Sequence, residues 1–214
     1  MLYSDIIIFI MEIIGTIAFA ISGAIIGVQK KMDLFGINVL GITTAVGGGM
    51  VRDLILGVNP PATFRNATYT LTAIASSTIV FCVGYFNKKT SPGKYARLYD
   101  LILLIGDTIG LGIFSVMGSY AAIKAGYTDN RFLTIFVGVM TGVGGGMIRD
   151  IMAGNMPYIL VKHIYAVASL AGAAVFTLLL PYFSYLQCMV AGASVVMLIR
   201  FLAAHYRWNL PRIH

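Results

Sequence analysis

The sequence predicts an all-α polytopic membrane protein with seven transmembrane helices. Hydrophobic residues make up 58% of the 214 residues, charged residues only 11%, and the mean hydropathy is +0.87, whereas a soluble domain carries about 25% charged residues. Seven apolar runs approach the ~20 residues that cross a ~30 Å hydrocarbon core as a helix. One motif occurs twice, three runs apart, which predicts two inverted three-helix repeats followed by an extra helix.

The predicted spans leave no room for a separate soluble domain, so residues 1–214 are interpreted as one transmembrane domain. Repeat 1 is expected at about 5–87, repeat 2 at about 98–181 and the extra helix at about 184–203. The individual spans are predicted at 6–28, 34–56, 69–86, 98–123, 132–153, 164–180 and 185–202.

The net charge of +7 is interpreted as an orientation signal and not as a nucleic-acid footprint. Lysines and arginines concentrate in the loops and tail of one side, which the positive-inside rule assigns to the cytoplasm, so the N-terminus is expected outside and the C-terminus inside. This predicts a multi-pass protein of the cell inner (plasma) membrane that attracts anionic lipid headgroups. The cytoplasmic set is Lys30, Lys31, Lys88, Lys89, Lys94, Arg97, Lys162, Arg200, Arg207 and Arg212, and the opposite set is Arg65, Lys124 and Arg131.

The repeated motif reads VGGGMVRD at 46–53 and VGGGMIRD at 143–150. Aligning 41–60 with 138–157 gives 11 identities in 20 positions, where average composition predicts about one or two. A weaker pattern, acid-x-x-Gly-x-x-x-Phe-x-x-x-Gly, begins at Glu12 and again at Asp107. Because each half has three spans, the second copy must enter the membrane from the opposite side, and functional sites are expected near the midplane.

Three consecutive glycines predict that the second and fifth spans are broken helices. Each interior glycine costs about 1 kcal/mol relative to alanine, and backbone groups freed in hydrocarbon are tolerated only along an internal path. Close helix packing is the alternative, while a phosphate-binding loop is excluded because no Gly-Lys-Ser/Thr is present. The candidate pore or kink residues are Gly47, Gly48, Gly49, Gly144, Gly145 and Gly146.

An Arg-Asp pair follows each glycine triplet, and charges at membrane depth mark function by default. Adjacent helical residues point about 100° apart, so we predict pairing between the repeats, Arg52 with Asp150 and Arg149 with Asp53. The alternative is that each pair only anchors a helix end.

Glu12 and Asp107 are the other deep acids. Asp107 is interpreted as a cation ligand, a proton site or an arginine partner, with a structural hydrogen bond as the alternative. The candidate hydroxyls of a polar path are Thr44, Thr141, Ser22 and Ser115. No catalytic residue set, metal-ligand set or cofactor motif is found, so we do not expect an enzyme.

The two Gly-Gly-Gly-x-x-Arg-Asp motifs, the acid-x-x-Gly-x-x-x-Phe pattern and the seventh helix together resemble the bacterial branch of the TRIC (trimeric intracellular cation) channel family, also known as a glycine-transporter-like membrane domain. The resemblance covers roughly residues 5–203. It implies a homotrimer in which each subunit holds a pore for monovalent cations, chiefly potassium. It also implies kinks at the glycine triplets, with Arg52, Asp53, Arg149 and Asp150 beside the pore. The lysine-bearing lipid motif of eukaryotic members has no match at 147–149.

A secondary transporter of a small solute such as glycine is the alternative function, since inverted repeats that rock about a midplane site are typical of such proteins. The near identity of the two motifs favours a symmetric path and hence a channel. A non-conducting scaffold is disfavoured because it gives the buried charges no role.

Overall fold

A computed structural model describes residues 2–87, 92–161 and 164–208, and all regular secondary structure within them is helical. The predicted all-α class is therefore confirmed. The helices are α1 (Leu2–Gln29), α2 (Leu34–Ile55), α3 (Ala62–Arg65), α4 (Thr68–Asn87), α5 (Pro92–Lys124), α6 (Arg131–Met152), α7 (Tyr158–Val161), α8 (Tyr165–Leu179) and α9 (Tyr185–Tyr206).

Six of these helices, α1, α2, α4, α5, α6 and α9, are long and apolar enough to cross a membrane. The span predicted at 164–180 corresponds to α8, which is apolar but has only 15 residues, about 22 Å at 1.5 Å per residue. The structure thus has six full-length spans in its described part and one shorter apolar helix. Four charges used for the orientation, Lys88, Lys89, Lys162 and Arg212, lie outside the described residues.

The helices form two three-helix units. α1, α2 and α4 pack against one another, as do α5, α6 and α8. α1 meets α5 and α2 meets α6 where the units join, and α9 packs mainly against α5 and α8. The short helices α3 and α7 occupy corresponding positions, between the second and third long helix of each unit.

The contact between α1 and α5 is reciprocal. The ring of Phe19 lies on Gly110, and the ring of Phe114 lies on Gly15, where a Cβ atom would be 3.2 Å from the ring. The centroids of the Phe19 and Phe114 rings are 5.3 Å apart. The earlier position on α1 contacts the later position on α5 and the later contacts the earlier, so the two helices are antiparallel in this region. Reciprocal contacts of this kind are those of a two-fold axis.

The contact between α2 and α6 is formed by the glycine triplets. A Cβ atom on Gly48 would overlap the carbonyl oxygen of Thr141, and one on Gly145 would overlap that of Thr44. Both helices continue through their triplets, α2 over Leu34–Ile55 and α6 over Arg131–Met152. The predicted break at the glycines is therefore wrong. The alternative, close packing, fits the structure, because the absent Cβ atoms let two intact backbones touch.

Both helices end in the same way after the Arg-Asp pair. Gly57 and Gly154 adopt positive φ angles of 70° and 67°. The next amide in each case donates to the aspartate carbonyl: Val58 N to Asp53 O and Asn155 N to Asp150 O, both at 2.8 Å. These are Schellman-type ends that favour glycine.

Replacing Gly154 by alanine is expected to lower the free energy of unfolding by about 1 kcal/mol, because a Cβ atom is strained at this φ although nothing lies within 4 Å of it. Thermal unfolding in detergent measures the change. Gly154→Asn is the matched control, since asparagine tolerates the left-handed region, and it should lose less. Equal losses from the two variants would show that bulk, and not backbone strain, is responsible.

Candidate functional site

The charges within the helices form two corresponding clusters, one partly exposed in the first three-helix unit and one buried between the second unit and α9. Half-site 1 consists of Glu12, Arg52, Asp53 and Tyr69, and half-site 2 of Asp107, Arg149, Asp150, Tyr165 and Arg200. The acid comes from the first helix of the unit, the Arg-Asp pair from the last turn of the second and the tyrosine from the third. The predicted charged residues are thus brought together, but in two groups.

Each arginine pairs with the aspartate next to it, and not with the aspartate of the other repeat. Arg52 Nε lies 2.8 Å from Asp53 Oδ1, and Arg149 Nε lies 2.8 Å from Asp150 Oδ1. The predicted pairing of Arg52 with Asp150 and of Arg149 with Asp53 is wrong. The Cβ directions do diverge, but the arginine side chain is long enough to turn its guanidinium back to the neighbouring carboxylate.

The second oxygen of each aspartate fixes the connection that follows the helix. Asp53 Oδ2 accepts the backbone N–H of Ala62 at 2.7 Å, and Asp150 Oδ2 accepts that of Tyr158 at 2.9 Å. A carboxylate that accepts hydrogen bonds from both a guanidinium and an amide is well satisfied in a buried position. The anchoring role considered for the Arg-Asp pairs therefore fits the structure, and Ala62 and Tyr158 are equivalent positions.

Half-site 2 is sealed. Arg149 and Asp107 have side chains with 0% exposure, and Arg149 Nη1 lies 2.7 Å from Asp107 Oδ1. The same nitrogen donates to Ser22 Oγ at 2.5 Å, which links α6 to α1 of the other unit. The Tyr165 hydroxyl lies 3.4 Å from Asp107 Oδ1, and the ring of Tyr158 lies 5.2 Å from the guanidinium carbon of Arg149. Asp107 is thus an arginine partner, one of the roles predicted for it.

Arg200 of α9 completes half-site 2. Its Nη2 lies 3.5 Å from Asp107 Oδ2 and its guanidinium carbon 4.9 Å from the centre of the Tyr165 ring. Only 5% of the residue is exposed. The sequence predicted Arg200 to be one of the cytoplasmic loop and tail charges, but the structure places it within α9 with its side chain buried. Without Arg200, the predicted cytoplasmic side still has more lysines and arginines than the opposite side.

Half-site 1 is open by comparison. The Tyr69 hydroxyl donates to the Glu12 carboxylate, as Tyr165 does to Asp107. Among the described residues no ion pair joins Arg52 to Glu12; instead both line a cavity of about 120 Å³. The remaining lining is Thr16, Ala45, Val46, Gly49, Ala62, Thr63, Tyr69 and Phe114.

The candidate hydroxyls have mostly structural partners. Thr44 and Thr141 donate to the carbonyls of Leu40 and Val137 one turn earlier, both at 2.6 Å. Ser115 donates to its own helix at 2.7 Å and also contacts Ser169. Of these four hydroxyls, only that of Ser22 contacts a buried charge.

The sequence did not predict three residues of the half-sites, Tyr69, Tyr165 and Arg200. Tyr69 and Tyr165 lie 96 residues apart, close to the spacing of the repeated motifs, and an alignment of the third spans at this offset matches the two tyrosines.

The fold and these clusters define a class: a multi-pass helical membrane protein that buries paired charges in two equivalent units. The family model described as "Glycine transporter" matches the chain twice, at residues 9–85 and 104–181, and the chain belongs to this family. Relatives include a UPF0126 membrane protein of Deinococcus radiodurans, 38% identical over 94% of this chain and 89% of its own length. The UPF0126 inner membrane protein YadS of Escherichia coli K12 is 34% identical over 94% and 93%.

Solved structures similar to this chain are TRIC channels. A prokaryotic TRIC channel in 0.5 M KCl superposes with a TM-score of 0.86 and 32% identity, covering 96% of this chain and 100% of that one. The TRIC orthologue of Rhodobacter sphaeroides gives 0.83 and 30%, over 94% and 99%. A structure that addresses conductance through TRIC cation channels gives 0.81 and 36%, over 96% of each chain. The resemblance found in the sequence is therefore confirmed.

Proposed function

We propose that this chain is a monovalent-cation channel, with potassium as its main ion and a pore within each subunit. The observation that carries the proposal is the similarity to solved TRIC cation channels over at least 94% of the chain. That similarity also supports assembly as a homotrimer. The similar solved structures are channels, so a non-enzymatic role is the one proposed.

The topology we propose is seven spans in one domain of residues 1–214, with inverted repeats at about 5–87 and 98–181 and an extra helix at about 184–203. The reciprocal contacts of Phe19 with Gly110 and of Phe114 with Gly15 support this two-fold relation. The lysine and arginine distribution supports an N-terminus outside and a C-terminus inside an inner membrane whose lipids contact the protein. The inner-membrane relative of Escherichia coli agrees with that location.

The proposed ion path leads from the half-site 1 cavity, past the crossing of the glycine triplets, to half-site 2. Carboxylate and hydroxyl oxygens at the cavity attract cations, and their field compensates the nearby arginine. On this proposed path Arg149, which is hydrogen-bonded to Asp107, Asp150 and Ser22, lies in the way at half-site 2. Conduction therefore requires Arg149 to move.

Removing the charge of Glu12 is expected to lower the potassium conductance roughly tenfold at low ionic strength and less at high salt, since a carboxylate at a narrow entrance concentrates cations and salt screens it. Single-channel recording of Glu12→Gln in planar bilayers measures the effect. Asp5→Asn, which removes an exposed acid of the same helix, is the matched control and should conduct like the wild type. A conductance of Glu12→Gln equal to that of the wild type would place the ion path elsewhere.

Secondary transport of a small solute is the second candidate, and the description of the matching family model favours it. One open and one sealed half-site are also what alternating access requires. Recording in potassium chloride with and without glycine separates the two functions. Unitary currents that reverse near the potassium equilibrium potential support the channel, while saturable solute uptake without unitary currents supports the transporter and contradicts the channel.

A further inference from the structure

The two half-sites differ by one positive charge. Half-site 2 contains Asp107, Asp150, Arg149 and Arg200, and its formal charges cancel. Half-site 1 contains two carboxylates and the single guanidinium of Arg52, because α9 packs mainly on α5 and α8, and none of its arginines forms an ion pair with the first unit in the described part of the chain. Half-site 1 therefore carries one uncompensated negative charge, which is expensive at membrane depth.

The same half-site has a cavity where its counterpart has side chains. Ala62 stands where half-site 2 has Tyr158, whose ring lies against Arg149. The small alanine leaves open the volume that this ring fills in the second unit, and the result is the cavity of about 120 Å³. That volume accommodates a monovalent ion together with several water molecules.

The walls of the cavity offer oxygen atoms where half-site 2 offers hydrocarbon. Thr16 lines the cavity, and its equivalent by the acid-x-x-Gly pattern is the fully buried Leu111. Thr63 also lines it, and its equivalent, one residue after Tyr158, is Ile159. Hydroxyl and carboxylate oxygens are the ligands of hard cations, so both the charge and the lining chemistry of half-site 1 suit a cation.

We propose that half-site 1 binds one monovalent cation, held by the Glu12 carboxylate and the hydroxyls of Thr16, Thr63 and Tyr69, and that the Arg200 guanidinium is its tethered substitute in half-site 2. Potassium as the ion rests on the proposed function. A divalent ion would over-compensate the single charge. Protonation of Glu12 would also remove the charge, and the experiment distinguishes it from ion binding.

The test is the melting temperature of the purified, detergent-solubilised protein in potassium chloride against N-methylglucamine chloride at equal ionic strength. A cation that binds only the folded protein should raise the melting temperature of the wild type in a saturable manner, by about 5 °C at 100 times its dissociation constant. Glu12→Gln should abolish the difference, and Thr16→Val should raise the half-saturating potassium concentration about fivefold. Asp5→Asn should change neither the potassium-dependent rise in melting temperature nor the half-saturating potassium concentration.

A variant of half-site 2 tests whether the Arg200 guanidinium takes the place of the bound cation there. Arg200→Ala should melt at a lower temperature, and millimolar guanidinium should restore part of the loss while N-methylglucamine should not. The proposal is overturned if the melting temperature of the wild type does not depend on potassium, or depends on pH and not on potassium. It is also overturned if Glu12→Gln keeps the potassium response. If that variant does not fold, Glu12→Asp and the wild-type titration carry the test.

Currents measured on the same preparation separate this proposal from the channel. Unitary potassium currents without a potassium-dependent melting temperature would reject the site and leave the channel. A saturable potassium effect on melting without currents would reject the channel and leave the site.

Discussion

Replacing Arg149 by glutamine is expected to lower the free energy of unfolding by about 3–5 kcal/mol, the usual cost of breaking a buried ion pair from one side. The guanidinium contacts Asp107, Asp150 and Ser22, and its side chain has no solvent exposure. Its removal leaves Asp107 with Arg200 at 3.5 Å as its remaining cationic partner among the described residues, and leaves Asp150 with the backbone N–H of Tyr158. Thermal or denaturant unfolding in detergent measures the loss.

Arg52→Gln is the matched control, because Arg52 occupies the equivalent position but its side chain is 15% exposed and pairs with one carboxylate. We expect it to cost about 1 kcal/mol, as for partly solvated ion pairs. The double variant Arg149→Gln/Asp107→Asn should recover part of the loss, since it removes one of the stranded charges. Equal losses for the two arginine variants would contradict the difference between the sealed and the open half-site.

Introducing a methyl group at the crossing of α2 and α6 is expected to be the other severe change. Gly48→Ala or Gly145→Ala should lower the free energy of unfolding by about 1–3 kcal/mol or more, because the new Cβ overlaps a backbone carbonyl and only separation of the helices relieves it. This loss outweighs the ~1 kcal/mol that alanine gains over glycine as a helix former. Melting temperature and the yield of folded protein measure it.

Gly49→Ala is the control from the same triplet. A Cβ atom there would meet nothing closer than the Arg52 guanidinium at 3.8 Å, so the variant should keep or slightly raise the melting temperature. If Gly49→Ala were as harmful as Gly48→Ala, flexibility of the triplet would matter more than the close crossing.

The sequence was sufficient for the helical class, for the six long spans and for the position of both motifs, because hydropathy and identity between repeats do not depend on side-chain conformation. It was not sufficient for the ion pairs of Arg52 and Arg149. The spacing of residues on a helix defines the direction of Cβ atoms, but a long guanidinium side chain can bond well away from that direction. A prediction based only on Cβ directions therefore could not identify the pairing of each arginine with the neighbouring aspartate.

The role of the glycines was misjudged for a different reason. Helix propensity is a local quantity, and it favoured a break at three consecutive glycines. The tertiary contact of Gly48 and Gly145 with the facing backbone overrides that preference, and only the structure reveals which helix faces the triplet. Arg200 was missed because it has no equivalent in the first repeat, so comparison of the repeats could not identify it.

The docking of α9 mainly on α5 and α8 makes the two half-sites unequal. A channel with two equal ends would pass ions equally well in either direction, but here half-site 1 has a cavity and half-site 2 holds the Arg200 guanidinium of α9. The proposed channel is therefore expected to rectify, because an ion arriving from one side meets an uncompensated negative charge and an ion from the other side meets a cluster whose formal charges cancel. Arg200→Gln should make the current-voltage curve more symmetric.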